Sequence, residues 1–579
     1  MTVQVAPHAA LTVAGLSAPV RTGAAQLDAG AVPYGTADVE LALADALALV
    51  PSLNLAPSVS LAPSSGGGLL LDPEEIDPRQ NIRASLVVGD HNGEQRSFDL
   101  SVRTRTVDHK AKTIRLSLAT DEAILQRFSP LLPDDAATAH QSSVRGVVNY
   151  VLGKIGAQLA AGGPDSDFSV AADATNYVSN PAAAVDTSGW SANSTMDRRP
   201  ASTWFDNFAK TGFRLYGFTN DATKFMDYGW PNNTQFAGRT FLVRARLRTG
   251  TDLTNRGADA GRLRVFYSTN GGQSFVTGPS GVATTAIGAT GDVSFLVSFP
   301  PGTNHVVLRA HHGWGSGGIV IWSDFRVSEY TGDPTDIGYF DGSTPTSSLY
   351  LHEWDGPSGL ARSNRRALID RSPDLLNWQP GVNAWQFLEP ITASVGLRLF
   401  CDEHRVWRLV RPDEYFVDGI VTAAGFNTVE GTDTVTADDP EVFCTGVIVQ
   451  FRWRDAKGVE REANDTAGTP QSVLVVELNR PYAPGIAAAI LTRRAGQGRV
   501  QDVYALADWT VTPAMQSQIS LPGTVDQVGT LASVEWGLST GLMRLGARGL
   551  TEAAAGTWLG WNASQQWGQV PDALTWEGA

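Results

Sequence analysis

Cysteine is nearly missing, with two in 579 residues. That excludes a disulfide framework, and no CxxC pair offers a metal or redox centre. Cys401, in the run LRLFC, and Cys444, in VFCTGVIV, read as small buried hydrophobes. Lysine is scarce too, supplying six of the 44 basic residues. Positive charge as a whole is in deficit, 44 Lys and Arg against 59 Asp and Glu, a net charge of −15. This balance argues against a general binder of nucleic acid or of anionic membranes. Long apolar runs are absent: the most apolar stretch, VELALADALALVPSLNL (39–55), is broken by Asp45 and Pro51. It falls short of the roughly twenty apolar residues that span a bilayer, so no stable membrane insertion is expected. The opening MTVQVAPHAALTVAGL has neither the basic start nor the apolar core of an export signal, so synthesis in a cytoplasm is expected.

Catalytic signatures are lacking as well. There is no HExxH, no GxSxG, no Walker loop and no GxGxxG after a strand. The glycine-rich SSGGGLL (64–70) and GWGSGG (313–318) have no Lys-Ser/Thr partner for a phosphate and read as loops. Asp438-Asp439 and Glu74-Glu75 suggest paired carboxylates, but adjacency in sequence is not the facing geometry glycoside hydrolysis needs. They read as solvated turns. The chain is therefore expected to be no enzyme, with no catalytic residue, cofactor or metal. His305, His311 and His312, near Asp324, have two readings, metal ligands gathered by strands or a strand with a polar loop, and the second is preferred.

What is present is abundant β pattern. At this length three to five domains are expected. In residues 1–130, Ile82, Ala84, Leu86 and Val88 alternate, then Phe98, Leu100 and Val102, then Ile114, Leu116 and Leu118, with polar turns between. Period-two alternation predicts antiparallel strands buried on one face. Arg83, Arg103, Arg105 and Arg115 mark the wet face or an interface. A short helix, DEAILQRF (121–128), is expected after Thr120 as N-cap. A longer one runs from the caps Ser142 or Ser143 to about 160, with Val144, Val147, Val148, Val151, Leu152, Ile155 and Leu159 on one stripe and Gly162-Gly163-Pro164 as its stop.

Residues 168–332 change character. TFLVRARLRT, RLRVFYST, VSFLVSF, HVVLRA and GIVIWSDFRVS are short strands in Ser/Thr/Asn/Gly-rich surroundings, which predicts a β-sandwich. After 333 the pattern is mixed again. NAWQFLEPITASVG (383–396) is helix-like, with Pro390 expected to kink or end it, and LRLFCDEHRVWRLVRP (397–412) is a hairpin turning on Asp402-Glu403-His404-Arg405. Helices 142–160 and 383–396 thus belong to one domain split by the sandwich. Residues 431–555 are β-rich with one short helix near 484–495, and 556–579 carry Trp558, Trp561, Trp567 and Trp576, which imply docking on a neighbouring surface.

The sandwich is rich in aromatics. Trp190 in DTSGWS, Trp204 in ASTWFDN, Trp230 in YGWPNN and Trp314 in HHGWGSGG sit in polar, loop-like contexts, and Tyr216 lies nearby in sequence. Indole and phenol faces stack on the apolar faces of sugar rings, so these five are the candidate carbohydrate-binding residues. For each Trp a core role is the competing reading. Trp322, within the strand IVIWSDF, is assigned to the core.

Certain motifs resemble known families. NPAAAVDTSGW (180–190), opening a module that closes with IVIWSDFRVSEY (319–330), resembles the jelly-roll carbohydrate-binding modules. IGYFDGSTP…YLHEWDGPSGLARS (337–363) is similar to a motif of minor tail proteins in long-tailed phages of high-GC Gram-positive bacteria, and the Arg-over-Lys bias suits high-GC coding. NAWQFLEPITASVGLRLFCDEHRVWRL, the strands after GTDTVTADDPEVFCTGVIVQF and the ending VPDALTWEGA resemble the baseplate-hub or tail-hub family. The resemblance implies a mainly β, multidomain fold: two β-barrel-like domains (1–130 and 431–555), a small α+β domain (131–167 with 333–430), an inserted jelly-roll β-sandwich (168–332) and the docking tail 556–579. It implies a homotrimer at the virion's tail tip, adapting a sixfold tail to a threefold tip. A distal tail protein ring would sit above, other tail-tip proteins below, and DNA would pass through the channel without specific binding. The insert would attach to host cell-surface glycan. A polysaccharide- or wall-active enzyme with a targeting module, and a plain receptor-binding adhesin, are the alternatives.

Overall fold

A computed structural model describes residues 8–43, 76–89, 94–201, 210–216, 223–316, 318–369, 371–412, 414–435, 443–454, 460–479, 482–494, 499–523 and 526–548. The stretches 64–70, 74–75, 438–439 and 556–579 discussed above lie outside the described residues, as does Trp204. The chain is mainly β and multidomain.

The N-terminal alternation becomes the strands Arg83–Gly89, Gln95–Asp108 and Thr113–Ala119, whose apolar residues from Ala84 to Leu118 are buried. His8–Val13, Leu16–Asp28 and Gly35–Ala42 complete a six-stranded antiparallel barrel. It is closed, because the first strand pairs with both the second (Leu11 opposite Ala18) and the fourth (Leu11 opposite Leu86). Closure removes the unpaired edges an open sheet would present.

The register shifts within two of its long strands, between Val20 and Thr22 and between Val102 and Thr104, and the first of these strands continues beyond the barrel. Ala24–Asp28 of the second strand pairs with residues 533–537 of a second unit. Gly23 stands at that passage, where a β-carbon would lie 2.2 Å from the Asp38 carbonyl oxygen. The second unit places its six strands in the order Ile420–Ala423, Gln516–Ile519, Gln527–Gly537, Leu542–Arg548, Arg499–Leu506, Thr428–Val435. One apolar core runs through both units, from Leu11 and Phe98 to Trp536 and Leu545.

Residues 446–494 do not belong to this second unit, contrary to the continuous 431–555 expected. Gly446–Arg454, Glu460–Gly468 and Val473–Leu478 form a separate three-stranded sheet, followed by the helix Ile486–Arg494. Val447, Val449, Phe451, Leu474 and Ile486 bury their apolar face with Val148, Leu388 and Trp407 of the α+β domain. An amphipathic sheet is stable only where that face is covered, and here the cover is supplied by helices far away in sequence.

Those helices differ from expectation in detail. Val144–Gly153 starts as expected, Ser143 Oγ accepting from the Gly146 N–H, but stops two turns before 160. Gly156 takes φ +73°, and Ala157 N–H donates to Leu152 O, a left-handed cap that glycine accepts at little cost. Ala384–Ser394 opens on a capping box of Asn383 and Gln386 and continues through Pro390, with Thr392 Oγ1 donating to the Leu388 and Glu389 carbonyls. In the short helix Glu122–Leu125 the N-cap is Asp121, because Thr120 Oγ1 is engaged with Gly35 of the barrel.

The hairpin Arg398–Cys401 and Trp407–Val410 turns on the expected residues, and that turn docks on the barrel. Arg405 Nη1 lies 3.0 Å from Asp121 Oδ1, and Glu403 Oε1 lies 2.5 Å from Arg96 Nη2. Cys401 and Cys444 are buried, and burial pushes the Cys401 thiol far up.

The insert is a sandwich of two five-stranded antiparallel sheets. One runs Thr290–Ser298, Thr240–Thr249, Ile319–Glu329, Gly212–Tyr216, Met196–Arg199; the other Val276–Val282, Arg262–Ser268, His305–His311, Phe225–Trp230, Trp190–Ala192. Its boundary lies beyond 332. Ala174–Asn176 pairs with Arg362–Ala367, which pairs with Tyr350–Asp355, so 350–367 form a stem sheet with the insert's first strand rather than part of the α+β domain. Tyr177 N–H donates to Val327 O at 2.8 Å, which brings the two ends of the sandwich side by side.

Candidate functional site

The sequence directs attention to the sandwich aromatics, and the structure divides them. Trp190, Trp230 and Trp314 are 8, 7 and 1% exposed and belong to the sandwich core. Trp190 packs against Phe325, Phe213 and Tyr228 with ring centroids 4.4, 4.8 and 5.1 Å away, and its indole N–H donates to Asn180 O. Trp230 packs on Tyr228 and Phe236 and donates to Tyr177 O at 3.0 Å. Their faces are covered, so as stacking platforms these three are corrected to core residues. For Trp230 the reason is periodicity: Met226, Tyr228 and Trp230 alternate inward on one strand, whatever the polarity of the flanking turn. Trp322 is fully buried, as assigned.

Tyr216 is the one described candidate that keeps part of its ring open. It ends the strand Gly212–Tyr216 on the outer face of its sheet, its hydroxyl donating to Asp197 Oδ2 at 3.0 Å, with the Arg214 guanidinium 4.8 Å from the ring centroid.

That outer face also carries a row of basic side chains. In Thr240–Thr249 the residues Phe241, Val243, Ala245 and Leu247 point into the core, so Arg244, Arg246 and Arg248 point out. Successive outward residues of a strand stand about 6.8 Å apart, which makes a row of guanidinium groups. Across the neighbouring strand, Arg248 and Arg214 both lie opposite Ile321, extending the row sideways. The alternation R-x-R-x-R was visible in TFLVRARLRT.

Carboxylates interleave with the row. Asp292 receives Arg246 Nε and Nη2 at 2.8 and 3.0 Å and Arg244 Nη2 at 3.3 Å. The Arg246 hydrogen bonds hold its carboxyl below the ordinary range. Asp324, 2% exposed and at φ +53° where the strand bulges, accepts from Lys210 Nζ at 2.6 Å. Arg214 forks onto Asp197 at 2.8 and 2.5 Å. Arg244 Nη1 and Arg248 Nε have no hydrogen-bond partner.

The outer face of the opposite sheet differs. Arg309 is stacked 3.5 Å from the Phe225 centroid and 4.9 Å from that of Phe266, and forks onto Asp227 at 2.8 Å on both arms. Its fork is already committed. The histidines are dispersed: His311 and His312 are buried, and burial pulls His311 down to about 4. Among the described residues no three His, Cys, Asp or Glu side chains converge as metal ligands.

No family model and no curated protein matches the chain. Solved structures with some likeness include the 43 kDa tail protein of prophage MuSo2 from Shewanella oneidensis, at TM-score 0.37 and 9% identity over 94% of this chain and 98% of that one. A tail protein from Neisseria meningitidis MC58 gives 0.36 and 8% over 94 and 97%. The module TmCBM61, solved with beta-1,4-galactotriose, gives 0.20 and 12% over 27% of this chain and 99% of that one. At scores this low none of these likenesses carries an inference about what this chain does.

Proposed function

We propose that the chain is a structural, non-enzymatic hub of a phage tail tip, a homotrimer around the DNA channel whose inserted sandwich touches host-surface glycan. The observation that carries the reading is the side-by-side pair of six-stranded units, joined by the strand Leu16–Asp28 and sharing one core. Three copies of such a pair supply six similar units to face a sixfold tail and three inserts to face a host. The split α+β domain, with the sandwich carried on a stem of paired strands, supports an insert that projects from the ring. Three weak glycan contacts on one ring would act with an avidity none has alone. Tyr216 is the aromatic retained for that contact, while Trp190, Trp230 and Trp314 are not.

Light scattering on the purified chain tests the hub. A species near three times 61.6 kDa, with the chain detected in purified tails by mass spectrometry, is expected. A chain that stays monomeric at every concentration and is missing from the tails overturns it.

A further inference from the structure

The charge of the insert is opposite to that of the rest of the molecule. Residues 174–367 hold 17 Lys and Arg against 15 Asp and Glu, a net of +2, which leaves −17 on the remainder of a chain of net −15. The excess gathers on one face: Lys210, Arg214, Arg244, Arg246 and Arg248 stand against Asp197, Asp292 and Asp324.

We propose that this cationic sheet face binds an anionic glycan, one carrying phosphodiester or carboxylate groups. The proposal rests on the glycan-contact reading above and gives the chemistry of that surface. The carboxylates on the face fix the arginines in place and leave donors unused. A guanidinium has five N–H groups in a rigid fork, so an arm turned to Asp292 leaves others for a ligand. Lys210 at 46% and Arg246 at 28% side-chain exposure present such donors to solvent. A linear polymer with one negative charge per repeat matches a row of cations at regular strand spacing better than a neutral sugar does. Neutral sugars need open aromatic faces, and among the described residues Trp190, Trp230 and Trp314 are in the core. Among polyanions a glycan is favoured over duplex DNA, because the −17 remainder repels a long duplex.

The test measures binding of the full chain to poly(glycerol phosphate), polygalacturonate, neutral dextran, beta-1,4-galactan and duplex DNA, each at several salt concentrations. Binding to one or both anionic glycans, weakening as salt rises, is expected, and which one binds separates phosphodiester from carboxylate recognition. Arg246→Gln with Arg248→Gln should weaken it by about tenfold or more, and Arg246→Lys with Arg248→Lys should restore much of it. Arg262→Gln, on the other sheet, should leave it unchanged. Unchanged melting of the insert shows that the Gln pair acts on binding and not on folding. Binding to dextran or galactan alone overturns the anionic assignment and leaves the glycan reading standing. Binding to no glycan of either kind overturns both. Binding to DNA as tight as to the glycans, or indifference to the Gln pair, overturns the assignment of this face.

Discussion

Arg96→Ala is the perturbation that most directly probes how the body is joined. Arg96 lies on the first barrel and is 9% exposed. Its Nη1 donates to Trp509 O and Val511 O at 3.0 and 2.6 Å, and its Nη2 to Thr512 Oγ1 at 2.9 Å and to Glu403. The guanidinium also lies 4.8 Å from the Trp536 centroid and 5.5 Å from that of Phe98. One side chain therefore ties together the first barrel, the second unit and the α+β hairpin. Truncation leaves Glu403 buried without its counter-charge, which alone costs about 3–5 kcal/mol. The two orphaned carbonyls add to this, each by about 1–3 kcal/mol where water cannot reach it. The losses overlap, so about 5 kcal/mol is the working figure. Urea unfolding followed by tryptophan fluorescence reads it, since Trp509 and Trp536 stack beside the site with centroids 6.1 Å apart. The transition of the barrel and the second unit should move to much lower urea, while that of the sandwich should hardly move. Glu403→Gln keeps an acceptor and should cost less than Arg96→Ala. A shift within the roughly 0.5 kcal/mol of a surface substitution would refute the assignment of Arg96 as the joint.

Three further outcomes are expected. Glu122 is 1% exposed, its Oε1 accepts from the Tyr34 and Cys401 N–H groups, and burial raises its carboxyl above the ordinary range despite those bonds. A folded value above the unfolded one means its contribution is whole below the unfolded pKa and is lost as pH rises through the folded one. Glu122→Gln should therefore gain on the wild type in melting temperature as pH is raised; a constant difference across pH would count against the reading. Trp190→Ala should destabilise the sandwich by about 3–5 kcal/mol, with the loss visible without any ligand, while Trp190→Phe should be mild; a stable variant with altered glycan binding alone would return Trp190 to the surface. Asp336→Asn should loosen the stem by about 3–5 kcal/mol, because Asp336 accepts bidentate forks from both Arg326 and Arg365, all three buried; limited proteolysis between 330 and 370 reads the loosening, and equal cleavage rates would contradict it.

Legibility followed the range of the interaction. The N-terminal strands could be read because each one's inward face depends on its own alternation, as in Ala84, Leu86 and Val88. The hairpin turn Asp402–Arg405 could be read from local polarity, yet its docking partners Arg96 and Asp121 could not, since nothing local connects them. Residues 446–478 alternate like barrel strands, and only the distant Val148 and Leu388 decide which core they enter. At Trp230 the period shared with Met226 and Tyr228 is a better guide than the polar turn beside it, whereas Trp190 and Trp314 each open a three-residue strand with no period to read. The outward arginines of Thr240–Thr249 were equally legible but were passed over for aromatic rings.

The scarcity of lysine acquires a structural meaning from these joints. Arg96 bridges three units, Arg405 holds Asp121 and donates to Leu100 O, and Arg326 and Arg365 clamp Asp336 from both sides with the Phe340 ring 4.8 and 4.9 Å from their guanidinium carbons. Each place asks for several directed donors on a planar group, and at Arg96, Arg326 and Arg365 that group also lies over an aromatic ring. A lysine ammonium has three donors, no plane and a larger hydration to lose. High-GC coding accounts for a preference for arginine at any site, including exposed ones. It does not account for arginines at joints with distant Asp, Glu and aromatic partners already in position. Replacing Arg326 or Arg365 with lysine would preserve charge and lose one fork of the clamp, so the arginine bias of this chain is a property of how its domains are fastened as well as of its codons.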